Sequence, residues 1–318
     1  MAAAVVVAAA AAADVENAPV TAARSVAAGG RDGRAGPLVV DGVGAGWRPE
    51  IAGWVATAPG LGFCEVIAES IVPTGPPRGV VDLRERGLPA IPHGVRLSLG
   101  GTDPLDPARV AHMAACAEAL DAPLVSEHVA FVRAGGRAAG HLLPLPRTRD
   151  ALDVLAANVA RLRAELSVPV ALELIAALFD WPEDELSEAE FLAALLDRTG
   201  ALLLLDVANV YANAHNRGQD ARAMLDRLLD RVPADRIGYV HVAGGSVRHD
   251  EAELPGGALY HDTHTDPVPD AVLRLLAHLL DRAPGVPVML ERDGRYPPAD
   301  VLSAELSTLA ALATPPAR

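Results

Sequence analysis

Aromatic residues make up only 3% of the 318-residue chain. A surface that binds single-stranded nucleic acid by base stacking needs more of them. Positive charge is also in deficit: 27 Lys and Arg stand against 41 Asp and Glu, for a net charge of −14. That balance argues against a protein that grips phosphate backbones, so no nucleic-acid partner is expected. The two cysteines, Cys64 and Cys116, cannot build a disulfide framework. Cys64 falls in a predicted strand and Cys116 on a predicted helix beside Val110, Met113 and Leu120, so both are expected to be small buried apolar residues. Long apolar runs are missing too. The opening run MAAAVVVAAAAAA ends at Asp14, short of the ~20 residues of a membrane span, and it lacks a basic leading segment. Residues 1–36 are therefore expected to be a disordered Ala/Gly-rich extension, residues 37–318 a single catalytic domain, and the protein cytoplasmic with no membrane partner. Nucleotide fingerprints of the GxGxxG and GxxxxGK[ST] types do not follow any predicted strand. GVGAGW (42–47) has the wrong glycine spacing and is taken as a tight loop after the first strand.

What is present is alternation. Short apolar runs at 38–44, 62–67, 89–93, 123–126, 168–173, 201–206, 237–242 and 286–291 predict buried strands. Helical patterns fall at 48–58, 106–121, 147–166, 187–199, 219–231, 268–283 and 298–313. Ser187 with Glu190 has capping-box spacing, and Asp106-Pro107 and Thr148 are further helix-start signals. Strand–helix alternation repeated eight times predicts an α/β fold, a (β/α)8 TIM barrel, rather than an open doubly wound sheet.

Such a barrel gathers the carboxyl ends of its strands on one face, where active sites sit. Seven fragments place metal-binding side chains there: IPHGVRLSLGG, VSEHVAF, VALEL, LLLLDVAN, YVHVAGG, HDTHTDP and VMLERD. They supply His93, His128, Glu173, Asp206, Asn209, His241, Asp262, His264 and Glu291. A lone histidine or aspartate at a strand end is usually structural, a hydrogen-bonded residue or a helix cap. Chance seldom repeats this at six successive strands. Asp262 and His264, two apart on extended chain, project to the same side. Imidazole and oxygen donors without thiolate suit Fe, Mn or Zn. Nine ligands exceed the needs of one ion, so two or three are expected.

Together with LLPLPRT (142–148) and DVANVYANAHNRG (206–218), these fragments resemble the multinuclear non-heme iron-dependent oxidative enzymes, the family of the methanobactin-biosynthesis oxidase. The resemblance runs from about Gly42 to Asp293 and is dense after residue 90. It implies a barrel like those of xylose isomerase and endonuclease IV. It also implies Fe(II)/Fe(III) as cofactor and O2 as co-substrate, in the modification of a ribosomally made precursor peptide at Cys or a C-terminal acidic residue. In that reading His93, His128 and Glu173 hold one iron, and Glu173, Asp206, His241 and Glu291 a second. Asn209, Asp262 and His264 hold a third, and the first two sets form the catalytic centre. The chain departs from the family pattern at Ala68-Glu69-Ser70, Glu173-Leu174-Ile175 and Ala243-Gly244-Gly245, where pocket neighbours rather than ligands differ.

Two other readings stay open: a metal-dependent hydrolase, phosphodiesterase or isomerase of the same barrel type, and a non-catalytic metal- or peptide-binding scaffold. Glu69, Arg96 and His215, with Arg133, are expected to contact substrate, and Arg292 and Asp293 to orient Glu291. His261 should alternate away from the ligands, and His112, His249 and His278 should be solvated. Family members often receive their peptide through a leader and a small recognition protein, and such a partner is expected here.

Overall fold

The computed structural model describes residues 40–248 and 259–314. The expected N-terminal extension and His249 lie outside the described residues. The elements run in chain order as β1 (Val43–Trp47), α1 (Ala52–Thr57), β2 (Leu61–Ile67), α2 (Arg78–Glu85), β3 (Ala90–Gly94), α3 (Pro107–Ala119), β4 (Val125–His128), β5 (Phe131–Ala134) and β6 (Arg137–Leu143). There follow α4 (Arg149–Ala164), β7 (Val170–Glu173), α5 (Glu188–Thr199), β8 (Leu202–Asp206), α6 (Val207–Asn216), α7 (Ala221–Leu229) and β9 (Ile237–Val242). The last are β10 (Gly245–Arg248), β11 (Leu259–Asp262), α8 (Asp270–Arg282), β12 (Val288–Leu290) and α9 (Ala299–Ala313).

Eight parallel strands close into a barrel in the order β1-β12-β9-β8-β7-β4-β3-β2, while β5–β6 and β10–β11 are separate antiparallel pairs. The parallel strands read as continuous apolar runs because both faces are covered. Their inward residues form a layer of Phe63, Ile91, Leu124, Ala171, Leu204, Tyr239 and Met289, sealed at one end with Val40. The outward residues, such as Cys64, Val66, Leu203, Val240 and Leu290, pack against the helices in the larger cluster. Side chains on a strand alternate faces, so the residue two positions after each inward apolar one also points inward. Those residues are Glu65, His93, Ser126, Glu173, Asp206, His241 and Glu291. An apolar plug thus floors a polar layer at the carboxyl ends of the strands.

Helix boundaries follow local chemistry. The Ser187–Glu190 capping box opens α5, and Gly200, at φ 64°, ends it in the left-handed conformation that glycine adopts without a Cβ penalty. Asp106 and Thr148 cap α3 and α4 through Ala108 N and Ala151 N.

One expectation is corrected. GVGAGW is no loop: residues 43–47 are β1 itself, paired with β2 and β12. A Cβ on Gly44 would stand 2.7 Å from the Phe63 ring, so the strand needs glycine where that ring fills the barrel. Both cysteines are buried and free. Burial, with Glu65 beside one and Glu69 beside the other, pushes both thiols up to about 12, leaving them protonated.

Candidate metal centre

The polar layer brings the predicted ligands together. His93 Nε2 lies 3.6 Å, and His128 Nε2 3.3 Å, from Glu173 Oε2. The opposite ring nitrogens are anchored: His93 Nδ1 lies 2.8 Å from Ser126 Oγ, and His128 Nδ1 3.0 Å from the Gly94 carbonyl. A carbonyl only accepts, so His128 donates through Nδ1, which leaves Nε2 facing Glu173. His241 Nδ1 lies 3.5 Å from Glu173 Oε1 and 3.0 Å from Glu291 Oε2. Its Nε2 lies 2.8 Å from Glu65 Oε2.

Asp206 has two roles. Its Oδ1 accepts from Ala208 N and Asn209 N and so starts α6, leaving Oδ2 free. Asn209, in the first turn of that helix, donates to Glu173 Oε1 at 3.4 Å and to the Leu174 carbonyl at 3.0 Å. Asp262 Oδ2 and His264 Nε2 are 2.6 Å apart. His264 sits at φ 55°, an uncommon value for a residue with a side chain, where the chain turns after β11.

Five groups of three side chains place one donor atom each within 4.8 Å of one another. They are His93/His128/Glu173, Glu65/His241/Glu291, Glu173/Asp206/His241, Asp206/Asp262/His264 and His264/Glu291/Asp293. Glu173 joins the first to the third, His241 the second to the third, and Asp206 the third to the fourth. Glu173 Oε2, Asp206 Oδ2, Asn209 Oδ1, His241 Nδ1, Asp262 Oδ1 and Glu291 Oε2 are buried without a well-directed hydrogen bond, although His241 Nδ1 and Glu291 Oε2 face each other as an ion pair. Each such atom costs about 1–3 kcal/mol unless something satisfies it. The residues of five of these atoms, all but Asn209, also belong to the donor groups, and nitrogen and oxygen donors fit divalent or trivalent cations.

Protonation follows the crowding. Burial, then Asp262 and Glu173, drive the Asp206 carboxyl well above its usual range. Burial opposes the charge on Glu291, but His264 and His241 outweigh it and hold that carboxyl well below. Burial likewise opposes Glu65, and His241 and His93 hold it at about 2. Burial pulls His128 down, yet Glu173 and Glu127 lift it to about 9. Protons therefore sit where positive charge is demanded.

Four of the participants, Glu65, Tyr239, Ser126 and Arg48, were not among the expected residues. Glu65 is fully buried and accepts from Tyr239 Oη at 2.6 Å and from His241 Nε2 at 2.8 Å. A carboxylate only accepts, so Tyr239 spends its proton on Glu65, and Ser126, 2.7 Å away, donates to Tyr239. His93 Nδ1–H then donates to Ser126. The chain His93–Ser126–Tyr239–Glu65–His241 thus runs beneath the ligands and fixes the orientation of both imidazoles. Its signal was in the sequence: Glu65 interrupts the apolar run GFCEVI two residues after Phe63. The fourth is Arg48, which pairs with Asp293 and Glu291.

Other expected residues lie elsewhere. His215 is exposed at the end of α6, against Tyr211 and Tyr260 with ring centroids 6.2 and 5.9 Å away, and belongs to none of the donor groups. Glu69 and Arg96 line a cleft of about 300 Å³ with Asp106, Arg109 and His112. Glu69 Oε1 accepts from Val95 N. Arg133 donates to the Arg96 and Leu97 carbonyls and is thereby tied to the segment that follows β3. Arg292 pairs with Glu305 rather than Glu291, because alternation after β12 turns it outward. His112 and His278 are not simply solvated: their Nε2 atoms meet the Ala68 carbonyl and Asp226 Oδ1 at 2.9 and 2.7 Å.

Fold and site together define an α/β barrel whose carboxyl-end mouth is lined by groups of side chains with the spacing to hold metal ions. The model of the family described as RiPP precursor modification enzyme MbnB/TglH/ChrH matches residues 42–314, and the chain belongs to that family. It is 48% identical over 275 residues to a UPF0276 protein of Streptomyces avermitilis, covering 84% of this chain but only 54% of that relative. A UPF0276 protein of Bordetella parapertussis is 39% identical over 284 residues, with 88% of this chain and 96% of that protein covered. Among solved structures, a D-allulose 3-epimerase from Methylomonas sp. aligns at TM-score 0.56 and 16% identity, covering 86% of this chain and 98% of the epimerase. A xylose isomerase domain protein from Planctomyces limnophilus aligns at TM-score 0.53 and 13% identity, covering 86% of this chain and 96% of that one. At these identities the two structures speak to the fold, the xylose isomerase-like TIM barrel. Among the described residues, no helix is long and apolar enough to cross a membrane.

Proposed function

We propose that this chain holds two or three iron ions and uses O2 to oxidise a ribosomally made precursor peptide, at a cysteine or a C-terminal acidic residue. The observation that carries the reading is the set of linked, largely buried donor groups in which Glu173, Asp206 and His241 are shared. Family membership supports a peptide as substrate. His93, His128 and Glu173 would hold one ion, Glu173, Asp206, His241 and Glu291 a second, and Asn209, Asp262 and His264 a third. Bound iron would supply the one-electron chemistry with O2 that these side chains lack.

The chain's own residues do the rest. Ser126, Gly94 and Glu65 hold the three imidazoles so that the ion-facing nitrogens carry lone pairs. The apolar layer of Phe63, Ile91 and Leu124 excludes water from below. Displacing the protons on Asp206 and His128 prepares both for cations. The peptide enters at the carboxyl ends of the strands, and a small recognition protein would deliver its leader.

The test is mass spectrometry of a candidate precursor peptide, from a short Cys- or Asp-bearing reading frame beside the gene, incubated with iron-loaded protein, reductant and O2. An O2-dependent mass change at Cys or at the C-terminal acidic residue is expected. No change with peptide, together with turnover of a phosphodiester or a keto-sugar, would assign the site to a hydrolase or isomerase instead.

A further inference from the structure

Arg48 is a buried guanidinium at the mouth of the barrel. Its Nε donates to Asp293 Oδ1 at 2.6 Å and its Nη2 to Asp293 Oδ2 at 3.3 Å. Nη2 also lies 3.7 Å from Glu291 Oε1, and Nη1 donates to the Trp47 carbonyl at 3.0 Å. A Cβ on Gly46 would come within 3.3 Å of Nη1, so glycine there leaves room for the guanidinium. On the other side of the same carboxylates stands His264, with Nδ1 3.4 Å from Glu291 Oε1 and 3.7 Å from Asp293 Oδ2.

His264, Glu291 and Asp293 have the spacing of a metal group. Yet Arg48 Nη2 presses on two of its three donors, and an ion there would meet a fixed positive charge within a few ångströms. The other nitrogen of His264, Nε2, faces Asp262 at 2.6 Å and belongs to the group with Asp206. A neutral imidazole has one lone pair to give, so the two groups compete for it.

We infer that Arg48 is a built-in cation that closes the His264–Glu291–Asp293 group to metal and reserves His264 Nε2 for an ion on the Asp206–Asp262 side. The inference rests on the metal-centre reading above. Its test is the number of Mn(II) ions retained per chain after anaerobic loading and gel filtration, read by elemental analysis. In the wild-type background, Asp262→Asn should lose one ion and Asp293→Asn none. Arg48→Met/Asp262→Asn should regain the lost ion, because the second group is now open. Arg48→Lys/Asp262→Asn, which keeps a cation, should not. Melting curves confirm folding, and Arg48→Gln replaces Arg48→Met if the latter fails to fold. Full occupancy in Asp262→Asn, loss of an ion in Asp293→Asn, or no regain in the double variant overturns the inference while leaving the metal centre standing. A wild-type chain that retains no ion overturns both.

Discussion

Glu65→Gln keeps the shape of a buried side chain and removes its charge. Two hydrogen bonds end on Oε2, from Tyr239 and His241, at 2.6 and 2.8 Å. A bond to a charged acceptor contributes about 1.5–3 kcal/mol and a neutral one about 0.5–1.5, so the change costs about 2–3 kcal/mol over the pair. The new amide nitrogen would also occupy the place of Oε1, which has no partner. Adding its desolvation of about 1–3 kcal/mol, the metal-free protein should lose about 3–6 kcal/mol. At roughly 2–4 °C per kcal/mol for a chain of this class, the melting temperature falls by about 6–24 °C. His241 would lose the carboxylate that fixes its tautomer, and such outer contacts are worth about 10–100-fold in metal affinity. The assay pairs calorimetric melting of metal-free protein with anaerobic competition against a chromophoric chelator. Tyr239→Phe, which spares the carboxylate, should give the same pattern at smaller size. A melting temperature shifted by less than about 2 °C, with affinity within about twofold of wild type, refutes the reasoning.

Other outcomes are expected. Glu173→Ala removes the carboxylate shared by two donor groups and should leave at most one ion per chain, whereas Glu305→Ala, which frees only Arg292, should leave the count unchanged. Metal loading at pH 7 should release protons, because His128 is held at about 9; titration calorimetry in buffers of different ionisation enthalpy checks this. The sign for the metal-free protein follows: a raised pKa stabilises fully below the unfolded value near 6.5, and the contribution is lost as pH rises through about 9. Metal affinity should rise over the same interval. Gly44→Ala sets a Cβ 2.7 Å from the Phe63 ring and should cost about 1–3 kcal/mol by overpacking, read as a lower melting temperature.

The barrel was legible because its strands are buried on both faces and read as apolar runs. The run at 201–206 corresponds to Leu202–Asp206, and 237–242 to Ile237–Val242. β1 was misplaced because Gly44 and Gly46 look like a turn; only the Phe63 ring and Arg48 side chain, distant in sequence, explain them. α6 is not among the helices that the sequence pattern predicts, although Asp206 both lines the site and caps that helix. The hairpins β5–β6 and β10–β11 were missed, since exposed short pairs such as β5–β6 carry no core pattern. Among site residues, strand-end histidines and carboxylates stand out against apolar neighbours. Arg48, Ser126 and Tyr239 do not, because their roles are set by partners up to 245 residues away in the chain. His215 looked close to the site by sequence, but a helix of ten residues carries it to the far end of α6.

The most direct test of the central claim is Mössbauer spectroscopy with metal counting on the protein reconstituted anaerobically with ⁵⁷Fe(II). Two or three irons per chain, with a coupled signal after partial oxidation that disappears in Glu173→Ala, is the predicted result. A chain that binds no iron, or a single isolated ion unaffected by Glu173→Ala, would contradict it.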